Sequence, residues 1–157
     1  MPSEKQHLQL SMFDRLCEDL TPGAFGEAVN DVDIVRRAVL RDVENLLNTR
    51  RCIVQPPESY GHLENSIYTY GVEDFTAKNP KSPQVRQALK STILETIDRF
   101  EPRLKSLSVA FRSEEGNHQN LCFAVQATLH AEPIREPITF DTWFSAGRGE
   151  YKIENVK

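Results

Sequence analysis

Glu101 and Arg103 are the residues of this chain whose types and spacing come closest to doing chemistry. A glutamate held protonated by its surroundings can act as a general acid. Paired with a second, ionised carboxylate, it can cleave a glycosidic bond. Glu73 or Asp74 could supply that second group. The guanidinium two residues away works against this role, because a neighbouring cation favours the carboxylate form, the wrong one for an acid at neutral pH. Two other roles fit the same spacing. The pair can pin a joint between two elements as a local ion pair, or it can face a partner protein and order a shared interface.

Other chemistries have weaker claims. His7, His62, His118 and His130 are scattered and none has a His or Cys neighbour at ligand spacing, so no metal site is expected. There is no phosphate-binding GxxxxGK[ST] loop, no strand-linked GxGxxG and no GxSxG nucleophile elbow; Gly147-Arg148-Gly149 is too short to count. Cys17, Cys52 and Cys122 make an odd number without CxxC spacing, and no histidine is placed to polarise any of them. They read as reduced, buried, inert thiols of a cytoplasmic protein, with pairing of two of them as the lesser alternative. No cofactor is expected.

The elements around Glu101 explain its position. Val85, Leu89, Ile93, Ile97 and Phe100 recur at helical spacing, with Ala88 and Thr92 filling the stripe. Ser82 and Pro83 suit the start of that helix. Pro102 cannot continue it and pushes Glu101 out of helical angles. The period then becomes two: Leu107, Val109 and Phe111 alternate with Ser106, Ser108 and Ala110 in a strand from 104 to 112. Upstream, Val32, Val35, Val39, Val43 and Leu46 mark a helix over 32–47, ending in Asn48-Thr49-Arg50-Arg51. Leu63, Ile67 and Tyr70 suggest a one- or two-turn helix stopped by Gly71. A turn at 113–120 leads to a second strand, 121–129. Ile138, Phe140 and Phe144 mark a third, and Tyr151 and Ile153 a short fourth. Trp143, the single tryptophan, has the opposite parity from Phe140 and Phe144. It faces outward, as an interface anchor, or lies under a covering helix.

These elements predict an α+β fold: two long helices, with short ones, packed on a three- to four-stranded antiparallel sheet. Met12, Phe13, Leu16 and Leu20 share one side of a further short helix, and Thr21-Pro22-Gly23 ends it. The chain therefore divides into an arm, 1–21, and one α+β domain, 22–157. The arm's apolar side either packs on its own domain or docks on a partner. A length of 157 residues favours one domain. A net charge of −4 argues against a nucleic-acid partner, and no stretch is apolar enough for direct membrane insertion.

Several segments, in order, resemble TssE, the small baseplate wedge subunit of type VI secretion systems, and more distantly the small wedge protein of contractile-tailed phages. They are Met12-Phe13-Asp14-Arg15-Leu16, the run from Val39 to Arg51 with its Leu-Leu-Asn-Thr-Arg-Arg end, Ser66 to Thr76, Arg99 to Leu104 with Glu-Pro-Arg, and Glu136 to Thr142. Tyr68-Thr69-Tyr70 departs from the Leu-Asn-Tyr of the family. The resemblance implies a structural role and no enzymatic activity. It implies a cytoplasmic baseplate at the inner face of the membrane, with TssF, TssG and TssK as partners. It also implies that the sheet region is similar to a domain of the TssB/TssC-type sheath subunits and offers strands to the first sheath ring. Glu101, Arg103, Met12, Phe13, Leu16 and Trp143 are then the expected contact residues. The alternatives are a small lysozyme-like glycoside hydrolase, the label long given to the phage relatives, and a regulatory adaptor on a related fold.

Overall fold

The architecture follows from two apolar helix stripes that need one sheet face to cover them. The computed structural model describes residue 16 and residues 32–54, 56, 57, 59–79, 81–112, 120–132 and 134–154. Helix α1 spans Val32–Asn48 and α2 spans Pro83–Phe100. Strands β1 (Leu104–Arg112), β2 (Asn120–Ala131), β3 (Ile134–Ser145) and β4 (Glu150–Glu154) form one antiparallel sheet in the order of the chain. Val39 and Val43 from α1, and Leu89, Ile93 and Ile97 from α2, are buried against Phe123, Val125, Leu129, Ile138, Phe140 and Phe144. Those strand residues share one face, as the two-residue period requires. The α+β prediction holds, with four strands.

Local differences have local causes. Ser82 sits at the N-cap of α2, but its hydroxyl donates to Gln84 and makes no bond to the helix backbone. Ala88 is exposed, because the packed stripe narrows to Leu89, Ile93, Thr96 and Ile97. The short helix expected around Leu63–Tyr70 is a 3₁₀ turn over Gly61–Asn65, and Ile67 is 91% exposed. The buried Thr69 hydroxyl, 2.7 Å from the Glu64 carbonyl oxygen, closes that turn before a second helical turn can form. Gly71, with φ +100°, lets the next segment lie against the end of α1. A Cβ there would be 2.3 Å from the Thr49 carbonyl oxygen. The Val72 amide donates to that oxygen, and the Arg51 amide donates back to Val72.

Strand β1 carries a bulge between Lys105 and Ser108, with Ser106 at φ 54°. Leu104 and Leu107 have opposite parity in the sequence. The extra residue lets both face the core.

Candidate functional site

The joint between α2 and β1 gathers the charged residues singled out above. Glu101 is the C-cap of α2, and its amide still donates to Ile97 at 2.9 Å. Residues 102 and 103 form a turn and not an extended pair. Arg103 therefore reaches Glu101 by folding back. Its Nε lies 2.6 Å from Oε1 and its Nη2 2.6 Å from Oε2, a two-pronged clamp on one carboxylate. The Arg103 amide adds a third bond to Oε1 at 3.3 Å. Glu101 is only 4% exposed. The Arg103 carbonyl oxygen accepts from the His130 amide at 2.7 Å, which ties the joint to β2.

A third charge completes the cluster. Asp42 of α1, 61 residues away in sequence, accepts from Arg103 Nη2 at 2.7 Å, and its other oxygen accepts from Arg41 Nη2 at 3.2 Å. The clamp thus bolts both long helices to the first strand. The hydrogen bond to Glu101, with help from Asp42, holds the Arg103 guanidinium protonated well beyond its ordinary range, against the opposing effect of burial. Tyr70 lies in the field of the same acids. Its phenol is pushed up by burial first, then by Asp42 and Glu101. Its ring meets Phe100 edge-on at 5.2 Å.

The arrangement is poor for acid–base work. Both Glu101 oxygens already accept from a guanidinium, and the carboxylate is buried. Glu73 and Asp74 are elsewhere, in a shallow cleft of about 500 Å³ shared with Arg50, Arg51, Cys52 and Ile53. Glu73 is paired with Lys78, and Asp74 with Arg50 at 3.0 Å. The Asp74 carboxyl is held below its usual value by the Thr76 hydroxyl, then by the Thr76 amide and Arg50. Glu101 does not line this cleft, so the carboxylate pair that glycosidic cleavage would need is not assembled there.

The other singled-out residues are dispersed. Leu16 is helical and 80% exposed, whereas Met12 and Phe13 lie outside the described residues. Trp143 is half-buried on the sheet face opposite α1 and α2, between Cys122 and Lys152. Neither long helix covers it. Cys122 is buried, but Cys52 is exposed, contrary to the expectation of buried thiols, because residues 51–54 leave the helix for the surface. Among the described residues no group of His, Cys, Asp and Glu could hold a metal, and no helix is long and apolar enough to cross a membrane.

Sequence reasoning missed Asp42, Asn48 and Glu44. Asp42 flanks the apolar stripe beside Val43, a position from which a short acid can reach a neighbouring element. Asn48 bonds the backbone of β4 in both directions: its Nδ2 donates to the Tyr151 carbonyl and its Oδ1 accepts the Tyr151 amide, each at 2.9 Å. Glu44 Oε2 accepts the Ile153 amide at 2.9 Å.

Compared with known proteins, residues 34–134 match the model of a family described as baseplate wedge protein gp25. The match runs from α1 through the α2–β1 joint and all of β2. None of the curated proteins matches the chain significantly.

Proposed function

Because the chain belongs to the family of baseplate wedge protein gp25, whose role in phage and type VI secretion baseplates is structural, we propose that it is the small wedge subunit of a type VI baseplate. In this reading it works in the cytoplasm at the inner face of the membrane. It joins a wedge built from TssF, TssG and TssK to TssB/TssC-type sheath subunits and starts sheath assembly. The observation that carries the reading is the Glu101–Arg103–Asp42 clamp. It gives the Glu-Pro-Arg segment a mechanical use, fixing sheet to helices, and leaves its acid without a free oxygen for hydrolysis.

Arg103 retains about a third of its side-chain surface, and that surface serves as contact for a sheath or wedge neighbour. Trp143 anchors a contact from the opposite face of the sheet. Met12, Phe13 and Leu16 of the arm form a docking side for a wedge partner, and deletion of residues 1–20 weakens partner binding while the domain stays folded.

The test is co-purification of TssF, TssG and sheath subunits with the chain as bait, combined with sheath imaging in cells carrying Arg103→Lys. Lysine keeps the charge but lacks the planar fork. The expected result is a folded protein that recruits its partners and supports fewer sheaths. Failure to bind wedge and sheath subunits would sink the reading. So would peptidoglycan turnover by the pure protein that vanishes in Glu101→Gln, which would favour the hydrolase.

A further inference from the structure

The cleft beyond the end of α1 is lined by two segments that the core holds in place. Val72 and Phe75 are buried, and Glu73 and Asp74 between them line the cleft. The other lining residues, Arg50 to Ile53, belong to the chain leaving α1. The Arg51 amide donates to the Val72 carbonyl oxygen at 2.9 Å, and the Val72 amide donates to the Thr49 carbonyl oxygen at 2.9 Å. The Tyr68 side chain is hydrogen-bonded to Cys52, which tethers the segment carrying Ile67 to the same stretch.

This frame presents apolar side chains to solvent. Ile53 lines the cleft and is 95% exposed. Val54 follows it, and Ile67 precedes Tyr68. Among the described residues, the exposed large apolar side chains other than Leu16 are Ile53, Val54, Tyr60 and Ile67. A single exposed isoleucine needs no explanation, but several on short segments tied to one another mark a contact surface.

Charge decides what fits there. Asp74 is taken by Arg50, and Glu73 by Lys78. Arg51 is half-buried and has no carboxylate partner among the described residues. The cleft therefore carries an unmatched cation on a chain whose net charge is −4. A purely apolar partner would cover that guanidinium without compensating it, which is costly. A carboxylate set among apolar side chains satisfies both features, and a guanidinium can hold it with two parallel bonds.

We propose that this cleft is a docking site for a segment of a wedge subunit in which an acidic residue stands among apolar ones. The acid meets Arg51, and its apolar neighbours cover Ile53 and Ile67. The proposal rests on the baseplate reading above.

Cys52 is exposed in the cleft and serves as a native reporter. The test is its alkylation rate in the full-length protein, resolved from Cys17 and Cys122 by peptide mass mapping. It is measured with and without purified TssF–TssG complex, alongside a binding titration. In the protein alone Cys52 reacts fast, and saturating TssF–TssG slows it by roughly tenfold or more. Arg51→Glu and Ile53→Asp each weaken binding by about tenfold or more. Arg50→Ala, which removes a charge already matched by Asp74, changes binding by no more than about threefold. The alkylation footprint is read on the parent protein and does not depend on how the variants fold.

Binding of TssF–TssG with Cys52 still reactive overturns the cleft assignment and spares the baseplate reading. Absence of binding to wedge and sheath subunits overturns both. Full affinity in a folded Arg51→Glu removes the acidic occupant and with it the proposal. Slow alkylation in the protein alone, relieved by deleting residues 1–20, gives the cleft to the chain's own arm. Slowing that grows with the protein's own concentration gives it to a second copy. Either of these last two results overturns the proposal.

Discussion

Both long helices end in a cluster of arginine and carboxylate, yet the two clusters differ in kind. At the end of α2, Arg103 clamps a carboxylate that is almost fully buried and reaches a third charge on α1. Beyond the end of α1, Arg50 meets Asp74 at 3.0 Å with both side chains in solvent. The residue types and distances are alike. Burial separates them. An ion pair in water gains little because water screens it and its side chains give up freedom to form it. A buried carboxylate cannot lose its partner without standing uncompensated in a poorly polar site.

The sharpest way to break this comparison is Arg103→Ala. It strips Glu101 of its clamp and Asp42 of one partner, and the expected loss is about 3–5 kcal/mol of unfolding free energy. The two-residue spacing of Glu101 and Arg103 fits a solvated local ion pair as well, and removal of such a pair would leave stability near native. The 4% exposure of Glu101 reverses that expectation. Denaturant unfolding decides it, and a loss below about 1 kcal/mol would mean that the clamp behaves as a surface pair.

Asn48→Ala comes next. The Tyr151 amide and carbonyl both lose their partner at a part-buried edge, and the expected cost is about 1–3 kcal/mol. The same unfolding curve reads it, and an unchanged midpoint would show that water replaces the side chain freely. Arg50→Ala probes the exposed cluster. It should shift stability by no more than about 1 kcal/mol and lose even that in high salt. A larger, salt-resistant effect would erase the contrast between the two helix ends.

The smallest expected effect is a titration. The Tyr70 phenol, raised from 10.0 by burial and then by Asp42 and Glu101, stays protonated in the folded protein after an unfolded chain would begin to ionise. Its contribution to stability is therefore complete below pH 10 and declines as pH rises through the raised folded value. Ultraviolet titration of Glu101→Gln should show Tyr70 ionising earlier than in the parent protein. Arg50→Ala should leave it where it was. An identical Tyr70 midpoint in all three proteins would remove Glu101 from its surroundings.

How much of this was legible beforehand depended on the range of the interaction. The helical spacing of Val35, Val39 and Val43 and the change of period at Pro102 are local signals, and α1, α2 and β1 appeared where those signals put them. Turn and strand periods likewise marked β4 between Gly149 and Glu154. Ile67 failed because the 3₁₀ turn, held by the Thr69 hydroxyl, outweighed an apolar spacing too short to define a helix. The bulge at Ser106 left a faint trace, two leucines of opposite parity at 104 and 107, which a simple alternating reading passes over.

By itself, the amino-acid sequence determined the order and type of the elements, the sheet face that would be apolar, and the placing of Glu101 and Arg103 at one joint. These depend on backbone propensity and on side-chain period, both set within a few residues. The tertiary structure alone decided that Glu101 is buried, that Asp42 joins its clamp across 61 residues, and that Asn48 and Glu44 close β4. Those outcomes depend on which elements pack together and at what register. No local period encodes that, because desolvation and long-range hydrogen bonding exist only once the helices lie on the sheet.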